Sequence, residues 1–276
     1  MICPEIGGSY NGAFIGGHVN NVVQLSRVLS NRGHRVVIMT TPHRYATSTL
    51  PRIGSAEVVC LPVTASYLSV RYGLEFLLGV LQRLRKVRNE DEGFDIIHGH
   101  SGYPMSAMIT NAASRVTMVP AIHTTYSPIE IPSSGGMVRL LANGPLTKMY
   151  FHGIAKIVAV SKNVRLSLIK IGISEQSLVQ IPVGVNTSIY NPSVHGTNVR
   201  ESLGLKTEHF VLSYVGNFTT EKGIHIMIDT LKLLSEEIPN VRLLMIMNMP
   251  LHFYKKPRKD VDMKLIWDVR RLSLIH

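Results

Sequence analysis

The sequence predicts an α/β protein built on mostly parallel sheets flanked by helices. Strand-like and helix-like segments alternate along the chain, which is the pattern of strand–helix–strand crossovers. Segments such as Arg35–Thr40 are short apolar runs of the kind that buried strands show. Two stretches, one near the start and one near residue 210, each begin with a strand, a glycine-containing loop and a helix, so two units are expected.

Met1–Cys3 reads as the stub of a first strand, followed by a Gly-rich loop from Gly7 to Gly17. A helix is expected from His18 to Asn31, where Val19, Val22, Val23 and Leu29 fall at helical spacing; Gly33 stops it. Arg35–Thr40 and Glu57–Pro62 are strands, and Tyr72–Arg88 is a helix with an apolar start and a basic end. Phe94–His98 is a strand leading into His-Gly-His. Met105–Ser114 is a helix and Val119–His123 a strand. Ser127–Gly144, with several Pro and Gly residues, reads as a long loop with one short helix at most. Strand Ile154–Val160 leads to Ser161, which would cap the helix Lys162–Ile171, and Gly172 would end it. After a short strand Leu178–Ile181, the segment Pro182–Pro192 suits a crossover. The second unit then reads as strand Phe210–Val215, loop Gly216–Glu221, helix Lys222–Glu237 and strand Val241–Met247.

Composition narrows the classes. With 276 residues and 45% hydrophobic side chains, the chain can bury a sizeable core. The formal net charge is +11, and Glu130 is the one acid between Ile96 and Ser174. A basic surface attracts polyanions of any kind. Without zinc-finger spacing or basic stretches interleaved with aromatics, nucleic acid is not an expected partner. Cys3 and Cys60 form no ligand cluster, and a reducing interior is the default. The apolar runs are too short to span a bilayer, which needs about 20 residues.

Four patterns could carry chemistry. Phe14-Ile-Gly-Gly-His18 stands at a helix start, where unpaired N–H groups and the helix dipole favour an anion. Gly216–Gly223 is a second strand-to-helix loop that places Lys222 near a helix start. The first loop also reads as a tight strand-to-helix turn, and Lys222 as an ordinary solvated lysine. Neither GxGxxG nor a P-loop is present. His98, His100 and His123 lie at strand ends, where open parallel sheets bind ligands. They could meet a sugar hydroxyl or a phosphate, or serve as structural hydrogen-bond partners; lacking acids or cysteines at ligand spacing, they do not suggest a metal site. Gly184-Val-Asn186 is a turn.

In order, Gly16-Gly17, Asn31-Arg-Gly-His-Arg-Val-Val-Ile38, Asp95-Ile-Ile-His-Gly-His100, Ile122-His123-Thr124, Ile157-Val-Ala-Val-Ser161, Ile181-Pro-Val-Gly-Val-Asn186 and Glu221-Lys-Gly223 resemble glycosyltransferase family 4. The resemblance covers roughly residues 1–247. It implies the GT-B type, with two Rossmann-like lobes and the active site in the cleft between them. It implies transfer of a sugar, with retention, from a nucleotide-diphosphate sugar to a lipid or saccharide acceptor, with no cofactor and no metal expected. By match, His123 is the expected catalytic residue beside the donor sugar, and Gly16, Gly17, His100, Ser161, Asn217 and Lys222 are expected to bind substrate or donor.

The chain also departs from that pattern. Asn217 stands where an arginine is usual, and the downstream Glu-x7-Glu motif is missing. The expected domains are an acceptor-side lobe over residues 1–190, the start of a nucleotide-sugar lobe over 195–247 and an atypical tail over 248–276. A frameshift, an early stop or a gene fragment is the expectation, as is a true start upstream of Met1. An incomplete second lobe would expose a sheet edge and apolar faces. The expected location is cytoplasmic, with peripheral contact of the Tyr72–Arg88 helix on an anionic membrane set against a solvated surface helix. An inactive remnant or sugar-nucleotide-binding module, and a sugar-nucleotide epimerase of the same architecture, are the alternatives.

Overall fold

The computed structural model describes residues 1–4, 9–10, 13–14, 17–41, 53–65, 69–89, 93–101, 104–129, 145–217 and 222–248. Most of the loop Gly7–Gly17, residues 130–144, Glu221 and residues 249–276 of the tail lie outside these. The chain divides into two compact units, Met1–Val185 and Asn186–His276.

The first unit opens with a two-residue antiparallel pair, β1 (Ser9–Tyr10) and β2 (Ala13–Phe14). Helix α1 (Gly17–Asn31) follows, then strands β3 (Val37–Thr40) and β4 (Glu57–Cys60) and helix α2 (Val70–Asn89). Next come β5 (Ile97–His100), α3 (Pro104–Thr117), β6 (Ala121–Thr125), α4 (Pro145–Phe151), β7 (Lys156–Ala159), α5 (Lys162–Lys170) and β8 (Leu178–Gln180). β5 to β8 pair side by side and in parallel, as do β3 and β4. Ile2 joins the two sets by bridging in parallel to Met39 on one side and Gly99 on the other. The sheet order is therefore β4, β3, the Met1–Cys3 segment, β5, β6, β7, β8. The apolar stub at the start of the sequence lies in the middle of the sheet, with the Ile2 N–H donating to His98 O at 2.8 Å.

Strand alternation sorts the core onto two faces. Cys3 and Ile38 pack with Val19, Val22 and Val23 of α1 on one face. Their neighbours Ile2 and Met39 pack with Phe76, Val80 and Leu84 of α2 and Ile109 of α3 on the other. A further cluster joins Phe151, Ile157, Val164 and Leu168 under α4 and α5. The buried positions of α1 are Val19, Val22, Val23 and Ser26, an i, i+3, i+4, i+7 stripe.

The second unit holds α6 (Thr197–Ser202), β9 (Phe210–Asn217), α7 (Ile224–Glu237) and β10 (Val241–Asn248). β9 and β10 pair in parallel over their full length. The expected apolar stripe of α7 is its shielded face: Ile224 is buried and Met227, Ile228, Leu231 and Leu234 are half-buried.

Candidate functional site

The site grows out of the carboxyl ends of β5 and β6, where the motif His98-Gly99-His100 is read by the pleat of the strand. The sequence places a strand end at His98, but β5 runs through to His100. Residues 98 and 100 therefore share a face, with ring centroids 3.7 Å apart. Gly99 points the opposite way, where there is no room for a side chain. A Cβ there would lie 1.9 Å from Thr110 Oγ1 and 2.8 Å from the ring of His123.

On the α1 face, His98 Nε2 lies 2.8 Å from Thr124 Oγ1, and His100 Nδ1 lies 3.1 Å from the Tyr126 hydroxyl. Asn21 of α1 donates to that same hydroxyl at 2.7 Å. The ring of His18, in the first turn of α1, is 5.7 Å from the Tyr126 ring. Asn21 donates to the Tyr126 oxygen; where that hydroxyl in turn donates to His100 Nδ1, the proton of His100 sits on Nε2. That nitrogen is buried and has no hydrogen-bond partner among the described residues. A buried N–H left unpaired costs about 1–3 kcal/mol, so it is poised to donate to a ligand or a water.

His123 occupies the other face. Its ring is 1% exposed, packed edge-on against Phe151 at 5.5 Å between centroids. Nε2 lies 2.8 Å from Ser106 Oγ and Nδ1 lies 3.3 Å from Thr125 Oγ1. Burial holds all three imidazoles neutral. It lowers His98 and His123 to about 3, and lowers His100 well below the usual histidine value, with the His98 ring beside it adding to the effect. Neutral rings suit hydrogen bonding to hydroxyls.

The remaining expected residues are distributed as follows. Gly17 is the exposed first residue of α1, with open space around its Cβ position; Gly16 lies outside the described residues. Ser161 follows β7, and its hydroxyl accepts from the Val164 N–H at the start of α5. In the second unit, Asn217 ends β9 beside Asn248 of β10. Lys222 is exposed and precedes α7 by two residues, with Gly223 as N-cap at φ +69°. The structure thus gathers Gly17, His18, Asn21, His98, His100 and Tyr126 at one edge of the first unit. Asn21 and Tyr126 were not legible as site residues: Asn21 is an ordinary polar position on a helix. Tyr126 could have been found from its spacing, since it continues the Thr124 face of β6.

The sequence pattern of Glycosyltransferase Family 4 matches residues 15–189, more than half of the chain. The chain belongs to glycosyltransferase family 4. This family 4 chain is 22% identical over 245 residues to alpha-monoglucosyldiacylglycerol synthase of Acholeplasma laidlawii, covering 84% of this chain and 60% of that protein. It therefore spans about three-fifths of that relative's length. Sucrose-phosphate synthase from Thermosynechococcus elongatus superposes with a TM-score of 0.69 at 18% identity, over 99% of this chain and 65% of that one. Anabaena HepE, solved in complex with UDP, superposes with a TM-score of 0.59 at 16% identity, over 94% of this chain and 64% of that one. The fold is the α/β, Rossmann-like GT-B type that the motifs implied, and the family resemblance is to transferases.

Proposed function

We propose that the chain supplies the acceptor lobe and the opening of the donor lobe of a retaining glycosyltransferase. It would move a sugar from a nucleotide-diphosphate sugar to a lipid or saccharide acceptor. The observation that carries this reading is the buried, unpartnered His100 Nε2 beside the amino-terminal turn of α1, within a cluster of hydroxyl, amide and imidazole groups. Such a cluster offers directed hydrogen bonds to sugar hydroxyls without adding charge. The helix start offers N–H donors to an anionic group. Family membership and the UDP complex of HepE support a nucleotide-linked donor. The Acholeplasma relative, named for a glucosyldiacylglycerol product, supports a lipid acceptor.

The roles are proposed from the family match. Gly16 and Gly17 would lie near the donor phosphates or the acceptor. In the second unit Lys222 would offset diphosphate charge as the leaving group departs and Asn217 would bind the donor; in the first, Ser161 would bind substrate or donor. His123 is proposed at the donor sugar by family match alone: its ring is buried and both its nitrogens lie near the hydroxyls of Ser106 and Thr125. The two lobes are proposed over residues 1–190 and 195–247, beside the division between Val185 and Asn186.

Transfer itself is the test. The purified chain is given labelled nucleotide-diphosphate hexoses with diacylglycerol, phosphatidylinositol or oligosaccharide acceptors. A labelled product with the anomeric configuration of the donor is expected. An inverted product contradicts the retaining reading, and a folded chain that yields no product contradicts the transferase reading.

A further inference from the structure

A row of polar groups runs from α1 to β5 and ends in a histidine held firmly in place. The His100 backbone N–H donates to Ile2 O at 2.9 Å, and its fully buried ring stacks on that of His98 at 3.7 Å between centroids. His98 is tied in turn to Thr124 Oγ1 at 2.8 Å. Tyr126, the first residue past β6, is half-buried beside this pair. Its ring lies 6.2 Å from that of His100 and 5.7 Å from that of His18. Its hydroxyl stands 2.7 Å from Asn21 Nδ2 and 3.1 Å from His100 Nδ1.

Three groups share the protons of this row. The Asn21 amide nitrogen can only donate, whereas the Tyr126 hydroxyl has one proton and also accepts. Burial keeps the His100 ring neutral, so it has one proton for two nitrogens. Two proton orders fit the distances. In the first, Asn21 donates to the hydroxyl, the hydroxyl donates to His100 Nδ1, and the ring proton sits on Nε2. In the second, His100 Nδ1 donates to the hydroxyl, which then accepts twice and must send its own proton to a third group. The first order fills both gaps with the protons of the row itself.

We propose that Asn21 and Tyr126 are positioning residues that fix His100 as an N–H donor, through Nε2, to a hydroxyl oxygen of a bound sugar. Asn21 orients the Tyr126 hydroxyl, and that hydroxyl decides which nitrogen of His100 carries the proton. Both act through His100. The buried Nε2 has no hydrogen-bond partner among the described residues, so it is the atom of the row left for a ligand. His123 differs, because a protein hydroxyl lies beside each of its ring nitrogens. A donor oriented before binding loses little freedom when the substrate arrives. This inference rests on the sugar-transfer reading above and names two residues that tune its site.

The test is nitrogen NMR of the full chain carrying isotope-labelled histidine, in which protonated and bare ring nitrogens resonate far apart. Loss of signals in His100→Gln assigns the ring. The parent, which needs no variant, is expected to carry its proton on Nε2. In Asn21→Asp a carboxylate takes the Tyr126 proton, so the hydroxyl oxygen accepts from the ring and the His100 proton should move to Nδ1. Added to Tyr126→Phe, which lacks the connecting hydroxyl, Asn21→Asp should change nothing further. Sugar transfer by Asn21→Asp should fall about tenfold in kcat/KM, the loss of one directed hydrogen bond. A thermal melt by circular dichroism confirms that each variant is folded. The proposal is overturned by a parent ring protonated on Nδ1 or on both nitrogens, or by an Asn21→Asp ring unchanged from the parent. A proton shift that persists without the Tyr126 hydroxyl, or undiminished transfer by a variant whose ring has switched, also overturns it. The NMR sample contains no nucleotide sugar. A chain that makes product without the proton switch loses only this inference, and one that shows the switch without product loses the proposed activity and keeps the relay.

Discussion

Gly99 shows how one residue holds two faces of the site together. The rings of His98 and His100 need one side of β5, and the ring of His123 with the Thr110 hydroxyl fills the other. Thr110 is tied to Ser106 O at 2.7 Å and His123 to Ser106 and Thr125, so neither yields easily. Gly99→Ala should cost about 1–3 kcal/mol by overpacking, read as a lower urea midpoint. Gly73→Ala is the comparison: a Cβ there meets the Sδ of Met105, the flexible end of a side chain. It should cost less than Gly99→Ala. The opposite ranking would contradict the packing described.

The same histidines set a pH dependence. Their folded values lie below the unfolded value of 6.5, to about 3 for His98 and His123. Below pH 6.5 the unfolded chain takes up protons that the folded chain refuses, so stability rises with pH between about 3 and 6.5 and falls on acidification. Three such groups, His100 included, give a slope approaching about 4 kcal/mol per pH unit within that window. Denaturant midpoints from pH 7 to pH 4 check this. His123→Gln should remove about one proton's share of the slope, and a flat profile would contradict the buried, neutral assignment.

At the level of elements, the sequence was most legible where local chemistry and packing agree. Ser161 and Gly172 mark the ends of α5: the serine hydroxyl accepts from Val164 N, and Gly172 has φ +89°. Ser161→Ala should lower stability by about 1 kcal/mol, measured by thermal melting, because it removes a helix cap. No change would mean that the cap is made by solvent instead. The limits of β5 were misread because a glycine between two histidines resembles a strand end; burial of both rings extends the strand. α4 was missed for a different reason. Thr147 and Phe151 are its buried described positions, one i, i+4 pair, too short a stripe to stand out after a Pro- and Gly-containing stretch.

Over the whole molecule, the alternation of strands and helices was legible along the chain, because each crossover needs an apolar run followed by an amphipathic one. The site was legible only in part. Histidines at strand ends could be found by rule, but the tyrosine beside His100 and the asparagine that donates to it are recognised only when β6 and α1 are brought together. The large hydrophobic clusters described all belong to the first unit. In the second, Phe210, Val215 and Ile246 are exposed on a parallel sheet of two strands among the described residues, and parallel sheets are ordinarily covered on both faces. The central claim is that this family 4 chain forms a nucleotide-sugar site with Lys222 on the diphosphate. Calorimetric titration of the purified chain with nucleotide-diphosphate sugars tests it most directly, alongside Lys222→Ala. The account predicts saturable binding that weakens at least about tenfold in the variant, the loss of one charge-assisted contact. Absence of binding by a chain that melts cooperatively, or equal binding by the variant, would contradict it.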